Sequence, residues 1–300
     1  MKKSQTEAPL TIIGAMGKAD EILGSNRKWK HANRKQKLFI KELFEPCRFD
    51  VKKIKEIESI ASGSAAEIND FLRKRGSGAT TEPFARDEIG IASIMDILVE
   101  WIKKGSNVEI ETPEKKKYKG VRIGEKGVRF YRSNDHNHPI ASLATKTEDQ
   151  IFMTMLDEEE AKCKPGEFML HKKIERIMRD VDGCFDYGGI KFPKADLDRA
   201  EDMNWLLGIN TISSKKDSAV IKYAYQKNRL RMNEFGARAQ SEFAGMIFFR
   251  ATARKQKPDH LINKPFLCWI VKEGFKKPLF AAYIAEEDWK DPGDIRKSKK

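Results

Sequence analysis

The chain has 300 residues, a length that permits one or two domains with a large buried core; one domain is the preferred reading. Charged residues make up 34% and apolar residues 40%, which excludes a disordered tail, and no run of about 20 apolar residues exists, which excludes a membrane-spanning helix. The formal charge of +13 is spread along the chain, so most of it reads as solvated surface.

The opening residues Met1 to Glu7 reach only a short apolar patch around Leu10 to Ala15, too weak for a secretory signal, and the sequence by itself points to the cytoplasm. Basic residues then gather at Arg27, Lys28, Lys30, Arg34, Lys35 and Lys37 with Trp29 between them. That is a candidate polyanion-binding patch, and a solvated helix face is its competing reading. From Arg34 to Phe44, Leu38, Phe39, Leu43 and Phe44 recur at helical spacing among Lys and Glu, predicting an amphipathic helix. A second helix is expected over Ala65 to Lys74, where Ser62-Gly63-Ser64 offers a cap with Glu67 following, and Gly76-Ser77-Gly78 ends it.

Asp87 to Ile102 is strongly apolar and reads equally as a buried helix or a central strand. Lys117 to Ile123, the turn Gly124 to Gly127, and Val128 to Tyr131 alternate apolar and polar residues, which predicts a hairpin. Asp135-His136-Asn137-His138-Pro139 reads as a polar turn, and Cys47, Cys163, Cys184 and Cys268 form no metal or disulfide pattern; no metal or cofactor is expected. Gln150 to Leu156 is a buried strand, helices are expected at Lys172 to Met178 and Asp196 to Leu207, and two apolar strands, Phe266 to Val271 and Pro278 to Ile284, close the chain. The whole reads as α+β with antiparallel sheet. No nucleophile elbow, paired catalytic carboxylates or phosphate-cradling glycine loop is visible, so no enzymatic turnover is expected.

The run Asn263-Lys264-Pro265-Phe266-Leu267-Cys268-Trp269-Ile270, followed by Lys277-Pro278-Leu279-Phe280-Ala281-Ala282-Tyr283-Ile284 and Asp288-Trp289-Lys290-Asp291-Pro292, resembles the C-terminal signature of the serpins. His260 stands where that signature prefers an apolar residue. Upstream, Met232-Asn233-Glu234-Phe235-Gly236-Ala237-Arg238-Ala239 resembles the serpin hinge, and Pro193-Lys194 and Asp196 to Ile209 follow in family order. Departures are Gln226, where the family usually carries a histidine, no asparagine in register at Ile94 to Ile97, and a displaced tryptophan at Trp101.

This resemblance implies a serpin-like fold of mixed, largely antiparallel sheets with helices and an exposed reactive-centre loop. The domain would span 19–292, lacking the family's N-terminal third, with 1–18 unassigned and 293–300 a basic tail. It implies that a protease cleaves the loop and that the hinge then enters the central sheet as a new strand, with Glu234, Gly236, Ala237, Ala239 and Ser241 as hinge residues. Alternate side chains must then fit beneath the sheet, and Ala237, Ala239 and Ser241 do. Family spacing selects Arg250-Ala251 or Arg254-Lys255 as the reactive bond, and either Arg implies a trypsin-like serine protease as partner. Glu234 and Lys194 would pair at the loop entrance. The resemblance also implies an extracellular location; an acidic polysaccharide is a further candidate partner, while nucleic acid and membrane are not expected.

Overall fold

The computed structural model describes residues 3–24, 28–55, 57–95, 98–147, 149–157, 168–184, 186–212, 218–238, 257–275 and 277–295. The chain forms two compact units, one built from Met1–Glu7, Ile97–Asp198 and Arg229–Lys300, the other from Ala8–Asp96 and Arg199–Asn228. Its class is α+β.

The first unit is organised by a seven-stranded antiparallel sheet in the order Gln5–Glu7, Phe280–Ile284, Phe266–Val271, Gln150–Met155, His136–Ala144, Val128–Ser133 and Val181–Cys184. Phe266–Val271 is central and covered on both faces, which is why its sequence is a continuous apolar run rather than an alternation. The helix Met169–Ile177 lays Leu170, Ile174 and Ile177 against Phe152, Leu267, Trp269 and Tyr283. Phe152 and Trp269, opposite one another on neighbouring strands, stack at 5.2 Å. A second, four-stranded sheet runs Asp259–Leu261, Gly189–Pro193, Lys117–Gly124, Ser106–Glu111. Gly120 is required there: a Cβ would lie 2.4 Å from an Ile110 side-chain carbon and 2.8 Å from the Phe192 carbonyl.

In the second unit the helix Pro9–Leu23 packs along Ile57–Ser62 and Glu88–Met95. Those two strands pair antiparallel, and Glu88–Met95 pairs in parallel with 220–228 of the strand Ser218–Asn233. The helix Ala65–Lys74 covers this sheet with Ile68, Phe71 and Leu72. The predicted 34–44 helix forms as an α-helix Arg34–Leu38 that widens to π-helical turns over Phe39–Phe44, with Asn33 capping it by accepting from the Gln36 N–H.

Several expectations are corrected. Lys117–Gly124 and Val128–Ser133 are not a hairpin: the short helical turn Glu125–Gly127 carries the chain from the four-stranded sheet into the seven-stranded one. Asp196 to Leu207 is not a helix but the strand Ala195–Glu201 followed by a single 3-10 turn, Asn204–Leu206. Ala195 and Leu197 are buried while Asp196 and Asp198 face outward, an alternation of two rather than 3.6. His136 and His138 sit on a strand, not a turn, bonded to Thr154 at 2.7 Å and to Asp157 at 2.8 Å. The cap at Ala65 works through Ser62, whose hydroxyl accepts from the Ser64 N–H and donates to Glu67. The ambiguous 87–102 run resolves as strands Glu88–Met95 and Leu98–Glu100.

Candidate functional site

The segment expected as the hinge begins where the strand Ser218–Asn233 ends. Glu234 and Phe235 reverse the chain, so that Met232 pairs with Ala237 and Asn233 with Gly236 in antiparallel register. On its other edge Gly236–Arg238 pairs antiparallel with Leu98–Glu100, Ala237 lying opposite Val99. The first residues of the hinge are therefore already a strand, bonded on both sides. Ala237 is completely buried (0% exposed), and a larger side chain there would have to displace its neighbours.

Asn233 holds the turn together. Its side-chain oxygen accepts from the Phe235 N–H at 2.8 Å, its amide nitrogen donates to the Gly293 carbonyl at 2.7 Å, and its carbonyl accepts from the Trp101 indole at 2.9 Å. The remaining turn carbonyls are met by Trp101, whose N–H donates to Phe235, and Gly105, whose N–H donates to Glu234 at 2.7 Å. Trp101 is buried with its ring edge-on to Phe192. Displaced in sequence from the family position, it nonetheless packs at the hinge.

The expected pair Lys194–Glu234 is present at 2.8 Å, and Asp291 joins it at 3.1 Å from the same ammonium. The sequence left open whether this pair is exposed; it is not, since the Lys194 side chain is only 6% accessible. Burial opposes the Lys194 charge, but the two carboxylates outweigh it and hold its pKa above the ordinary lysine value. Burial likewise pushes Glu234 up, yet Lys194 and a backbone N–H bring it below the usual carboxylate range.

The described chain resumes at Lys257, and Asp259 has its own partners. Asp259 accepts two hydrogen bonds from the Arg122 guanidinium, at 2.7 and 3.0 Å, with Lys191 at 3.5 Å. Next to it His260 is buried against Phe130 and Tyr187. Burial, and secondarily the charge of His138, lower its pKa to about 4. The expected residues Ala239, Ser241, Arg250, Ala251, Arg254 and Lys255 lie outside the described residues, as does Arg27.

Of the polyanion patch, Lys28, Lys30, Arg34 and Lys37 are exposed, while Lys35 is half-buried with its ammonium 4.6 Å over the Trp205 ring. Trp29 is not interleaved among them on the surface. It is buried and its indole donates to Asp20, so no aromatic of the patch is free to stack on a ligand. Gln226, in the family's histidine position, is buried and donates to the Ala8 carbonyl at 2.7 Å and to the Thr11 hydroxyl.

The sequence singles out Glu234, Lys194, Gly236 and Ala237, which the structure brings together at one turn. Sequence reasoning missed Asn233, Asp291 and the Arg122–Asp259 fork, whose partners lie tens of residues or more away in the chain; the only signal for Asp291 was its place at the end of the C-terminal signature.

No protein-family model and no curated protein matches the chain. Solved structures do. A serpin from Schistosoma mansoni aligns with a TM-score of 0.61 at 12% identity, covering 94% of this chain and 95% of that one. The mouse protein-Z dependent protease inhibitor gives 0.58 at 10% identity, over 95% and 91% of the two chains. Thyroxine-binding globulin in complex with thyroxine gives 0.55 at 11% identity, over 93% and 92%. The α+β class and the three, largely antiparallel sheets agree with these likenesses, and the fold of this chain is the serpin fold.

Proposed function

We propose that the chain inhibits a trypsin-like serine endopeptidase by offering the loop 236–262 as a substrate and inserting it after cleavage. The observation that carries this reading is Ala237, buried and strand-paired to both Met232 and Val99, which supports a strand that lengthens from this point. The protease serine would attack the carbonyl of Arg250, or of Arg254, breaking the peptide bond and leaving the arginine acyl group esterified to the protease and a free amine on the following residue. The freed strand would then extend from Ala237, replacing the direct ladder between 220–228 and Glu88–Met95 by two new ones. One ladder is broken and two are formed, and this net gain of one ladder of main-chain hydrogen bonds is the free energy available to hold the acyl-enzyme. Extracellular proteases are the partners that the serpin resemblance suggests.

The test is incubation with a panel of trypsin-like proteases followed by denaturing gel electrophoresis. A covalent high-mass band is expected, and its loss in Arg250→Ala or in Arg254→Ala identifies the reactive bond. A second reading, a binding protein that does not inhibit, is favoured by the likeness to thyroxine-binding globulin; clean cleavage with no such band would install it instead. The exposed Lys28, Lys30, Arg34 and Lys37 additionally suit an acidic polysaccharide, for which affinity should fall steeply with salt.

A further inference from the structure

Within the second unit a hollow of about 180 Å³ lies between the helix Pro9–Leu23, the segment around Arg48 to Ile54 and the strand Ile57–Ser62. Its floor is apolar, made by Ile13, Val51, Ile54 and Ile57, and its rim is charged. Two glycines of the helix face it, and they differ. At Gly14 an added Cβ would lie 2.8 Å from the Ser59 hydroxyl, so packing requires glycine. At Gly17 nothing stands within 4 Å of where a Cβ would be. Glycine in a helix interior weakens the helix relative to alanine. No neighbour demands that weakness at Gly17; what the missing side chain provides is the hollow itself.

The rim carries three cations and one anion. Glu21 takes up two of the cations, with Lys18 and Lys52 each 3.0 Å from its carboxylate. The third, Arg48, lies 4.7 Å over the ring of Phe49, a phenylalanine that is 62% exposed, and its Nε is buried with no hydrogen-bond partner. Nε is enclosed, but the terminal amino groups of the guanidinium are not, and they are the donors that a ligand carboxylate in the hollow can reach.

We propose that this hollow binds a small organic monocarboxylate, its aryl or short alkyl body on the Ile13–Ile54–Ile57 floor and its carboxylate at Arg48. The size fits: a cavity of roughly 150 Å³ accepts a benzene ring. The apolar floor supplies affinity and the guanidinium orients the ligand, the usual division of labour in small-molecule sites.

The probe is phenylacetate, titrated into the full-length chain with isoleucine methyl groups labelled for NMR, beside its uncharged isostere phenylacetamide. Saturable shifts at Ile13, Ile54 and Ile57 are expected with phenylacetate, at a dissociation constant on the order of 1 mM or tighter, and at least about tenfold weaker binding with phenylacetamide. Arg48→Gln should bring the two ligands to parity. Gly17→Leu should abolish the shifts while leaving the thermal midpoint unchanged or higher, because its side chain enters open space. Absence of saturable shifts at these methyls, equal affinity for the two probes in the unsubstituted chain, or undiminished binding in Gly17→Leu would each overturn the assignment.

Discussion

Lys194 decides how firmly the hinge turn is held. Its ammonium is the shared counter-ion of Glu234 and Asp291 in a buried setting, so Lys194→Met leaves Glu234 without its cation and Asp291 with only Lys119 at 3.4 Å, and should cost about 3–5 kcal/mol in urea unfolding. Arg122→Ala, whose partner Asp259 is reached from a side chain 39% exposed, should cost less. His260 sets an acid limit. Its pKa is about 4 in the folded chain against 6.5 for the free side chain, so the unfolded state binds the extra proton between these values. Its contribution is intact above pH 6.5 and is lost as the pH falls toward 4, a loss on the order of 3 kcal/mol. His260→Phe, placing an aromatic ring beside Phe130 and Tyr187, should flatten that part of the stability–pH profile and raise stability at pH 5. The sequence marks His260 as foreign to an apolar signature position, and its burial shows why apolar residues suit it. Asn233 carries no such mark: its importance comes from Trp101 and Gly293, and only the folded chain brings them together.

At the scale of elements, the helix Met169–Ile177 lacks a cap of its own, its N-cap Phe168 adopting a left-handed conformation (φ 53°) with no side-chain acceptor. Glu7, from the edge strand Gln5–Glu7, supplies the cap, accepting from the Leu170 and His171 N–H groups at 3.1 Å each and bonding the His171 ring at 2.9 Å. Glu7→Ala should therefore fray the first turn of that helix, raising amide exchange at Leu170 and His171 and lowering stability by about 1–2 kcal/mol. Elements with an unambiguous apolar pattern were legible: the 65–74 helix by its period, the 266–271 strand by its continuous apolar run. The 195–201 strand was misread because its few apolar positions fit a helix as well, and the supposed hairpin because strand alternation says nothing about which sheet a strand joins. Gly120 could be seen as a glycine but not as the point where Ile110 and Phe192 crowd the backbone. Gly120→Val should prevent stable folding of the four-stranded sheet, visible as loss of the cooperative unfolding transition.

For the whole molecule, the two ends of the 239–256 segment are fastened by independent devices, the Lys194–Glu234–Asp291 cluster before it and the Arg122–Asp259 fork after it. Both anchors belong to the first unit, while the parallel ladder that the proposed insertion would open, 220–228 against Glu88–Met95, belongs to the second. The paired strands Phe266–Val271 and Phe280–Ile284 were readable because they stand close in sequence. The ladder was not, because its two strands are separated by more than 100 residues and nothing in either names its partner. The central claim is that the hinge can lengthen into the sheet, and thermal unfolding of the chain before and after a single proteolytic cut in the loop tests it most directly. Insertion adds a fully paired strand, so the cut chain should unfold on the order of 10 °C or more above the intact one. An unchanged or lower midpoint after the cut would contradict the account.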